Sequence, residues 1–469
     1  MFTVFNNSLQ NNSILPAAIQ ITFYIFTVWY ISIVKKADPK TKKILIITYY
    51  WPPAGGPGVQ RWLKFAQYLP DFNFEPIVLT VDPETASFQI TDESLLYKAR
   101  SIKTFHSKTY EPFGLFRRIS GGKNIPVGGL EQKKRFSIFK TVVSFIRGNL
   151  FIPDPRRGWN FKAYNKARQL IEEFNIDTVI TTSPPHSTQL IGLKLRKEFR
   201  IRWIADLRDP WIDIYYYKQF MHTPIAKAID RKYEKKVLED ADHIVVVSKG
   251  VKNSFLTKTQ EDISKKVSII PNGYDEEDLQ TKETVFDDND FNIVYTGTIT
   301  LLYGIAVLID ALSELRTSFP QIRLKFVGTA DNDIRSLIRQ NNLESITEFI
   351  PYVIHSKLSA YLKSASVLLL CIPNMKKNEG IITGKIFEYL AARKPILCIG
   401  PVNGDAAEII HENEAGKVFD YKDKNGITEY LKTLTKNEFS INPQNKEYLN
   451  YKRKNLTAEL VKIIREDNN

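Results

Sequence analysis

Sulfur and histidine are scarce in this chain, with two cysteines, three methionines and six histidines among 469 residues. Cys371 and Cys398 both lie in apolar runs (VLLLCIP and PILCIG) and lack metal-type spacing. That argues against a disulfide framework or a zinc site and fits a reducing compartment. Charge of either sign is absent from residues 1–34. There is no low-complexity tract and no repeat of solenoid period. What is present is ordinary: 43% apolar and 25% charged residues, the composition of a globular body, here long enough for two or three domains.

Inside the uncharged leader, Ile14 to Val34 form a mainly apolar run ended by Lys35 and Lys36. As a helix it would reach ~31 Å, about one hydrocarbon core. No basic n-region or small-residue cleavage site marks a removable signal. A retained anchor is therefore expected, with the body on the cytoplasmic face of the membrane. An interfacial helix is the alternative, because Pro16, Gln20 and Thr22 weaken the span. The net charge of +13 is also concentrated, since residues 98–168 hold seventeen Lys/Arg against Glu111, Glu131 and Asp154. A basic stretch interleaved with aromatics (EQKKRFSIFKTVVSFIRGNLFIPDPRRGW) suits an anionic lipid surface, a phosphorylated substrate or nucleic acid. Nucleic acid is the weakest of these, as no readout motif accompanies the charge, and a merely solvated face is the plainest.

From residue 43 onward, short β-branched runs alternate with amphipathic stretches, the pattern of doubly wound parallel sheets. Strands are expected at 43–50, 75–81, 177–183, 201–206, 243–248 and 267–272, then at 291–297, 322–328, 346–352, 366–372 and 395–400. The polar stretch YDEEDLQTKETVFDDND reads as a linker. The expected organisation is an apolar segment at 1–41, a first Rossmann-like domain at 42–273, a linker at 274–290, a second domain at 291–440 and C-terminal helices at 441–469. The fold class is α/β, two doubly wound domains facing a central cleft. Ligands in such sheets bind beyond the strand carboxyl ends, so the loops there are the candidate sites.

After the first strand, Gly55, Gly56 and Gly58 form a tight loop opening a helix, with Arg61 on its first turn as a further donor-binding candidate. Exposed backbone N–H groups there suit a phosphate, although a simple strand-to-helix turn has the same composition. TTSPPHS places His186 at a strand end, as a catalyst or a packed neighbour. ADLRDPW gathers Asp206, Arg208 and Asp209, either a local ion pair or charges fixed at the cleft floor. In the second half, Gly297 and Thr298 follow a strand in geometry suited to phosphate oxygens. Gly384 and Lys385 open a helix with Glu388 one turn on. Lys385 can neutralise a diphosphate, and Glu388 can accept hydrogen bonds from ribose hydroxyls, although an ordinary amphipathic helix with its charges turned outward reads the same way.

These pieces, taken in order (PPAGGPGVQR, VVVSKGVKNSF, VSIIPNGYD, the GTIT loop and TGKIFEYLAARKPIL), resemble the family-4 glycosyltransferases of the GT-B fold, over about residues 42–465. The resemblance implies retaining transfer of a sugar from a nucleotide sugar, with the donor mainly on the second domain and the acceptor on the first. It implies that Glu388 binds ribose, that Lys385 and Thr298 bind diphosphate and that Gly55 and Gly56 close over the donor phosphates. His186 or the Asp206–Asp209 cluster would be the acceptor-side catalytic position. Two features depart from the family pattern. Glu379 and Glu388 are separated by eight residues rather than seven, which leaves the role of Glu379 near the sugar open, and residues 299–307 carry no Lys or Arg.

No cofactor or metal is expected beyond the nucleotide sugar itself, since a lysine and helix-start N–H groups can stabilise the departing diphosphate. Asp288–Asp290 falls in the linker, and Asp331–Asp333 reads as a helix cap. The leading expectation is a membrane-associated glycosyltransferase of cell-envelope polysaccharide biosynthesis acting on a lipid-linked or polysaccharide acceptor. A nucleotide-sugar epimerase or hydrolase of the same fold, and a catalytically silent nucleotide-sugar-binding scaffold, are the alternatives.

Overall fold

A computed structural model describes residues 41–88, 91–110, 138–281 and 283–466. The apolar run 14–34 and the basic residues between 111 and 137 lie outside the described residues. Among the described residues, no helix is long and apolar enough to cross a membrane.

Two parallel sheets organise the chain. The first joins β1 (Lys42–Ile47), β2 (Phe74–Val81), β3 (Lys103–Ser107), β4 (Thr178–Ser183), β5 (Arg202–Leu207), β6 (His243–Val246) and β7 (Val267–Ile269) in the order β3-β2-β1-β4-β5-β6-β7. The second joins β8 (Phe291–Ile299), β9 (Ile322–Ala330), β10 (Thr347–Ile350), β11 (Val367–Cys371), β12 (Ile396–Ile399) and β13 (Gly416–Phe419) in the order β10-β9-β8-β11-β12-β13. Both are doubly wound. Their central strands are nearly continuous apolar runs, as burial on both faces demands: Ile44 to Ile47 and Leu368 to Leu370 are wholly inaccessible.

Every strand expected from the sequence is present. Two edge strands escape it, β3 (KTFHS) and β13 (GKVF), because each is short and only partly buried. One boundary moves as well. Gly297 and Thr298 do not follow β8 but belong to it, pairing with Gly328 and Thr329 of β9.

Six helices carry the rest of the argument: α1 (Pro57–Tyr68), α2 (Ile138–Leu150), α3 (Lys249–Leu256), α4 (Lys385–Ala392), α5 (Asp405–Glu412) and α6 (Arg453–Arg465). α1 begins on Gly56 at φ 107°, a conformation glycine adopts without strain, with Pro57 at its first position. α6 follows the second sheet in sequence but packs on the first, where Leu456, Leu460, Val461, Ile463 and Ile464 join the core of Trp62, Phe65 and Leu69. Removing one such leucine side chain costs about 2–5 kcal/mol. At the crossing, the Arg453 N–H donates to the Tyr274 carbonyl at 2.9 Å, and Lys64 pairs with Asp275 at 3.0 Å.

Candidate active site

In each sheet the winding direction reverses beside the first strand, between β1 and β4 and between β8 and β11. A crevice opens at that point because neighbouring loops leave on opposite faces. The loops flanking these two crevices carry Gly55–Gly58, His186 and Glu379–Lys385, and the end of β8 carries Gly297 and Thr298. Sheet topology therefore gathers segments that lie more than 300 residues apart in sequence.

The second-sheet half is built around Lys385. Its Nζ donates to the Tyr295 hydroxyl at 2.7 Å and lies 4.1 Å from that ring's centroid. The Tyr295 hydroxyl in turn donates to the Thr298 carbonyl at 2.7 Å, which fixes the ring. Gly297 makes room for the amine, since a Cβ there would stand 2.9 Å from Lys385 Cε and 3.1 Å from Nζ. Burial pushes the Lys385 pKa down to about 8, against the charges of Cys371 and Glu388, which would raise it. Gly297 and Thr298 are exposed beside it. Gly384, at the start of α4, faces Pro57 of the first-sheet glycine loop at 3.7 Å from its would-be Cβ. The structure thus brings Gly55, Gly56 and Gly58 to the same edge as Gly384 and Lys385.

Glu388 lies one turn along α4, turned toward a small cavity that it lines with Tyr274, Asp275, Ser359 and Arg453. The Glu379 side chain is exposed, while its backbone is held, the Glu379 carbonyl accepting from the Asp405 N–H at 2.7 Å.

The first-sheet half divides the expected residues into two groups. Asp206 is inaccessible and its carboxylate is saturated: it accepts from Arg61 at 3.1 Å, Trp62 Nε1 at 2.8 Å and the Thr182 hydroxyl at 2.7 Å. Arg61, likewise inaccessible, also donates to the Pro271 carbonyl at 2.5 Å. This corrects the expectation that Arg61 meets donor phosphate and that Asp206 lines the cleft. Burying the pair beneath α1 satisfies both charges within the core and leaves neither a surface for ligand. Arg208, by contrast, reaches the loops. Its Nε donates to the Ser183 carbonyl at 3.0 Å, and its guanidinium covers Gly58, where a Cβ would collide with it.

His186 stacks on Trp211 with ring centroids 4.7 Å apart, and its buried Nδ1 has no hydrogen-bond partner among the described residues. Burial, reinforced by the positive charges of Arg208 and Lys258, pushes its pKa down to about 3, so the imidazole is neutral at physiological pH. Asp209 is only partly covered, and burial raises its pKa.

Sequence reasoning missed the residues that set His186 in place. Asp154 accepts from the Ser187 N–H at 2.7 Å and hydroxyl at 2.8 Å, holding the loop after β4. Trp211, which backs the imidazole, donates Nε1 to Asp230 at 2.7 Å. The available signals were one of only three acids in a strongly basic segment and a tryptophan directly after Asp209-Pro210.

The two halves are joined directly. Ser248, the N-cap of α3, donates to the Gly380 carbonyl at 2.9 Å, and the Gly250 N–H donates to Asp405 at 2.7 Å. Lys249 pairs with Glu408. Among the described residues, no cluster of three or more His, Cys, Asp or Glu is arranged to hold a metal ion. Asp331 caps its helix by accepting from the Ile334 N–H at 2.9 Å, as expected.

Residues 126–278 match the family model described as Glycosyltransferase Family 4, and residues 276–455 match that of glycosyl transferases group 1. The chain belongs to glycosyltransferase family 4. It is thus a retaining glycosyltransferase using a nucleotide sugar, on the GT-B fold. Solved structures agree on the fold. Sucrose-phosphate synthase from Thermosynechococcus elongatus superposes with a TM-score of 0.61 at 15% identity, covering 91% of this chain and 98% of that one. HepE of Anabaena in complex with UDP and glucose gives 0.58 at 14% identity, covering 90% and 99%. The lipopolysaccharide outer core galactosyltransferase WaaB in its apo form gives 0.55 at 14%, covering 90% and 99%. No curated protein sequence matches the chain.

Proposed function

We propose that this glycosyltransferase holds a nucleoside diphosphate sugar on the second-sheet side of the cleft and transfers the sugar to a lipid-linked or polysaccharide acceptor on the first-sheet side. The reading includes work at the cytoplasmic face of a membrane. It assigns the acceptor to residues 42–273 and the donor to 291–440, joined by 274–290. The observation that carries it is Lys385, a largely buried amine with no carboxylate partner among the described residues, lying against the glycine edge of β8 and directly following Gly384, which faces Pro57 at the start of α1.

An incoming diphosphate supplies the missing counter-charge and raises the lysine pKa toward its ordinary value. As the glycosidic bond breaks, negative charge grows on the leaving diphosphate. Lys385, the N–H groups opening α4 and those of the Gly55–Gly58 loop then stabilise it more than they stabilise the intact donor. Glu388 accepts from the ribose hydroxyls. On the acceptor side, neutral His186 can exchange a hydrogen bond with the sugar or acceptor, and Asp209 and Arg208 lie on the adjoining loop.

The test is a set of nucleotide sugars, beginning with uridine diphosphate sugars because HepE is seen with UDP. Thermal stabilisation and slow hydrolysis are measured for wild type and Lys385→Met. One nucleotide series should stabilise wild type and be hydrolysed, and the variant should lose both effects. If no nucleotide sugar stabilises the protein, the donor assignment is wrong and the silent-scaffold reading takes its place.

A further inference from the structure

Amphipathic helices of soluble proteins turn their apolar face inward, and α2 does the reverse. Val142, Phe145, Ile146 and Leu150 fall on one side of it, and they are 47%, 46%, 41% and 72% exposed. The side turned to the protein is small and polar. The Ser144 hydroxyl donates to the Gln219 carbonyl at 2.8 Å, and Gly148 sits against Phe220 so closely that a Cβ would strike its backbone. The apolar surface continues past the end of the helix. Asn149 bonds to the Met221 carbonyl at 3.2 Å and to the Thr223 N–H at 2.7 Å, next to Met221 and Ile225, which are also exposed.

Arg147 lies on the flank of this helix, between its two faces. Its guanidinium rests 4.4 Å from the centre of the Phe220 ring. Among the described residues, no carboxylate pairs with it. The nearby acid, Asp154, is already engaged by Ser187 and by the Arg156 N–H. Burial lowers the Arg147 pKa, and the groups whose charges act on it include Tyr216, Asp154 and Tyr50. The Phe220 ring on which it rests neighbours Tyr216, 6.0 Å between centroids, in the segment that follows Asp209, so the cation looks toward the acceptor side.

We infer that α2 is a platform for an anionic lipid acceptor, with its outward apolar face entering a membrane surface and Arg147 holding the acceptor's phosphate. The inference rests on the reading of the first sheet as the acceptor side. Charge selects the occupant. The apolar face lies inside a segment of seventeen basic and three acidic residues, which attracts an anionic interface and repels a second copy of the same surface. An Arg on the helix flank places a planar donor fork at headgroup depth while the neighbouring side chains sit among acyl chains.

The test uses the full chain and two readouts that need no turnover. The first is binding of decyl phosphate below its micelle concentration, followed by tryptophan fluorescence, beside neutral decyl maltoside and inorganic pyrophosphate. Wild type should bind decyl phosphate at least tenfold more tightly than either control. Arg147→Gln should lose that tenfold, Arg147→Lys should recover part of it, and nucleotide affinity should be unchanged in both. Equal binding by wild type and Arg147→Gln overturns the site, and pyrophosphate binding as tightly as decyl phosphate overturns the lipid assignment.

The second readout is an environment-sensitive dye on Leu150→Cys, the native cysteines being buried. It should shift to the blue on phosphatidylglycerol vesicles, whereas the same dye on Lys446→Cys should not. No shift at position 150 overturns the membrane face. Donor hydrolysis without acceptor, measured alongside, separates the two readings. If it is absent while Arg147-dependent binding persists, the donor assignment fails and this site stands.

Discussion

The Lys385 ammonium occupies the space that a side chain at Gly297 would take, 2.7 Å from the Tyr295 hydroxyl and against the face of its ring. Among the described residues, it is held by an aromatic face and a phenol rather than by a carboxylate. Its charge is therefore available to a ligand.

The first prediction concerns pH. With a pKa of about 8 in the free enzyme, the fraction of protonated Lys385 falls as pH rises through 8, so kcat/KM for the donor should fall above that point. Diphosphate binding raises the pKa, so the protein should take up protons on binding nucleotide near pH 8. Calorimetry in buffers of different ionisation enthalpy measures this uptake. The linkage to stability has the opposite sense. Between the folded value and the ordinary ~10.4 the unfolded chain binds more protons, so this group's penalty is full below pH 8 and fades as pH rises through that window. An alkaline limb unchanged in Lys385→Arg would show that another group titrates there.

Gly297→Ala is the steric counterpart. The backbone there has φ 100° and a methyl group would meet Lys385 Cε, so the lysine must leave its seat on Tyr295. Donor affinity should fall by ~1–3 kcal/mol, the range for a charged hydrogen-bonding partner, together with a loss of stability from the strained backbone. Isothermal titration and thermal melting separate the two effects. Unaltered nucleotide affinity in a folded variant would remove Gly297 and Lys385 from the donor site.

Asp206 and His186 should separate under mutation. Breaking the buried Arg61–Asp206 pair with Asp206→Ala strands a guanidinium in the core and should cost about 3–5 kcal/mol of stability. His186→Ala and Asp209→Ala should instead lower kcat more than donor affinity, with little change in melting temperature. Denaturant unfolding beside steady-state kinetics reads both quantities. An Asp206→Ala protein of wild-type stability would contradict its structural role.

The two halves meet at a pair of glycines, Gly250 and Gly380, whose backbones touch. A Cβ on Gly250 would run into the Gly380 backbone, and Gly250 donates to Asp405. Gly250→Ala should hold the two halves apart, reducing kcat/KM by tenfold or more while each sheet remains folded. Small-angle scattering should show a larger radius of gyration. Wild-type kinetics in that variant would show that this contact is dispensable for transfer.

Much of this molecule is legible from local pattern. The β-branched runs of β1, β4, β8 and β11 announce buried parallel strands because both faces of a doubly wound sheet are covered. The glycine, lysine and histidine loops stand out because they interrupt those runs at strand ends. Lys385, Gly384, Gly297 and the Gly55–Gly58 loop were all identifiable in that way, each from fewer than ten residues of context.

Only the tertiary structure decided which of these residues lie buried in the core and which reach the loops. Asp206 and Arg208 are two residues apart and both charged, yet Asp206 still belongs to β5 and turns beneath α1 to meet Arg61, while the strand ends at Leu207 and Arg208, on the loop beyond it, covers Gly58. The same holds for α2, where Val142, Phe145, Ile146 and Leu150 share one face and yet the side toward the core is Ser144 and Gly148. Sequence fixes the period of an amphipathic element. Its direction depends on what the rest of the chain packs against it, and that information is spread over segments hundreds of residues apart.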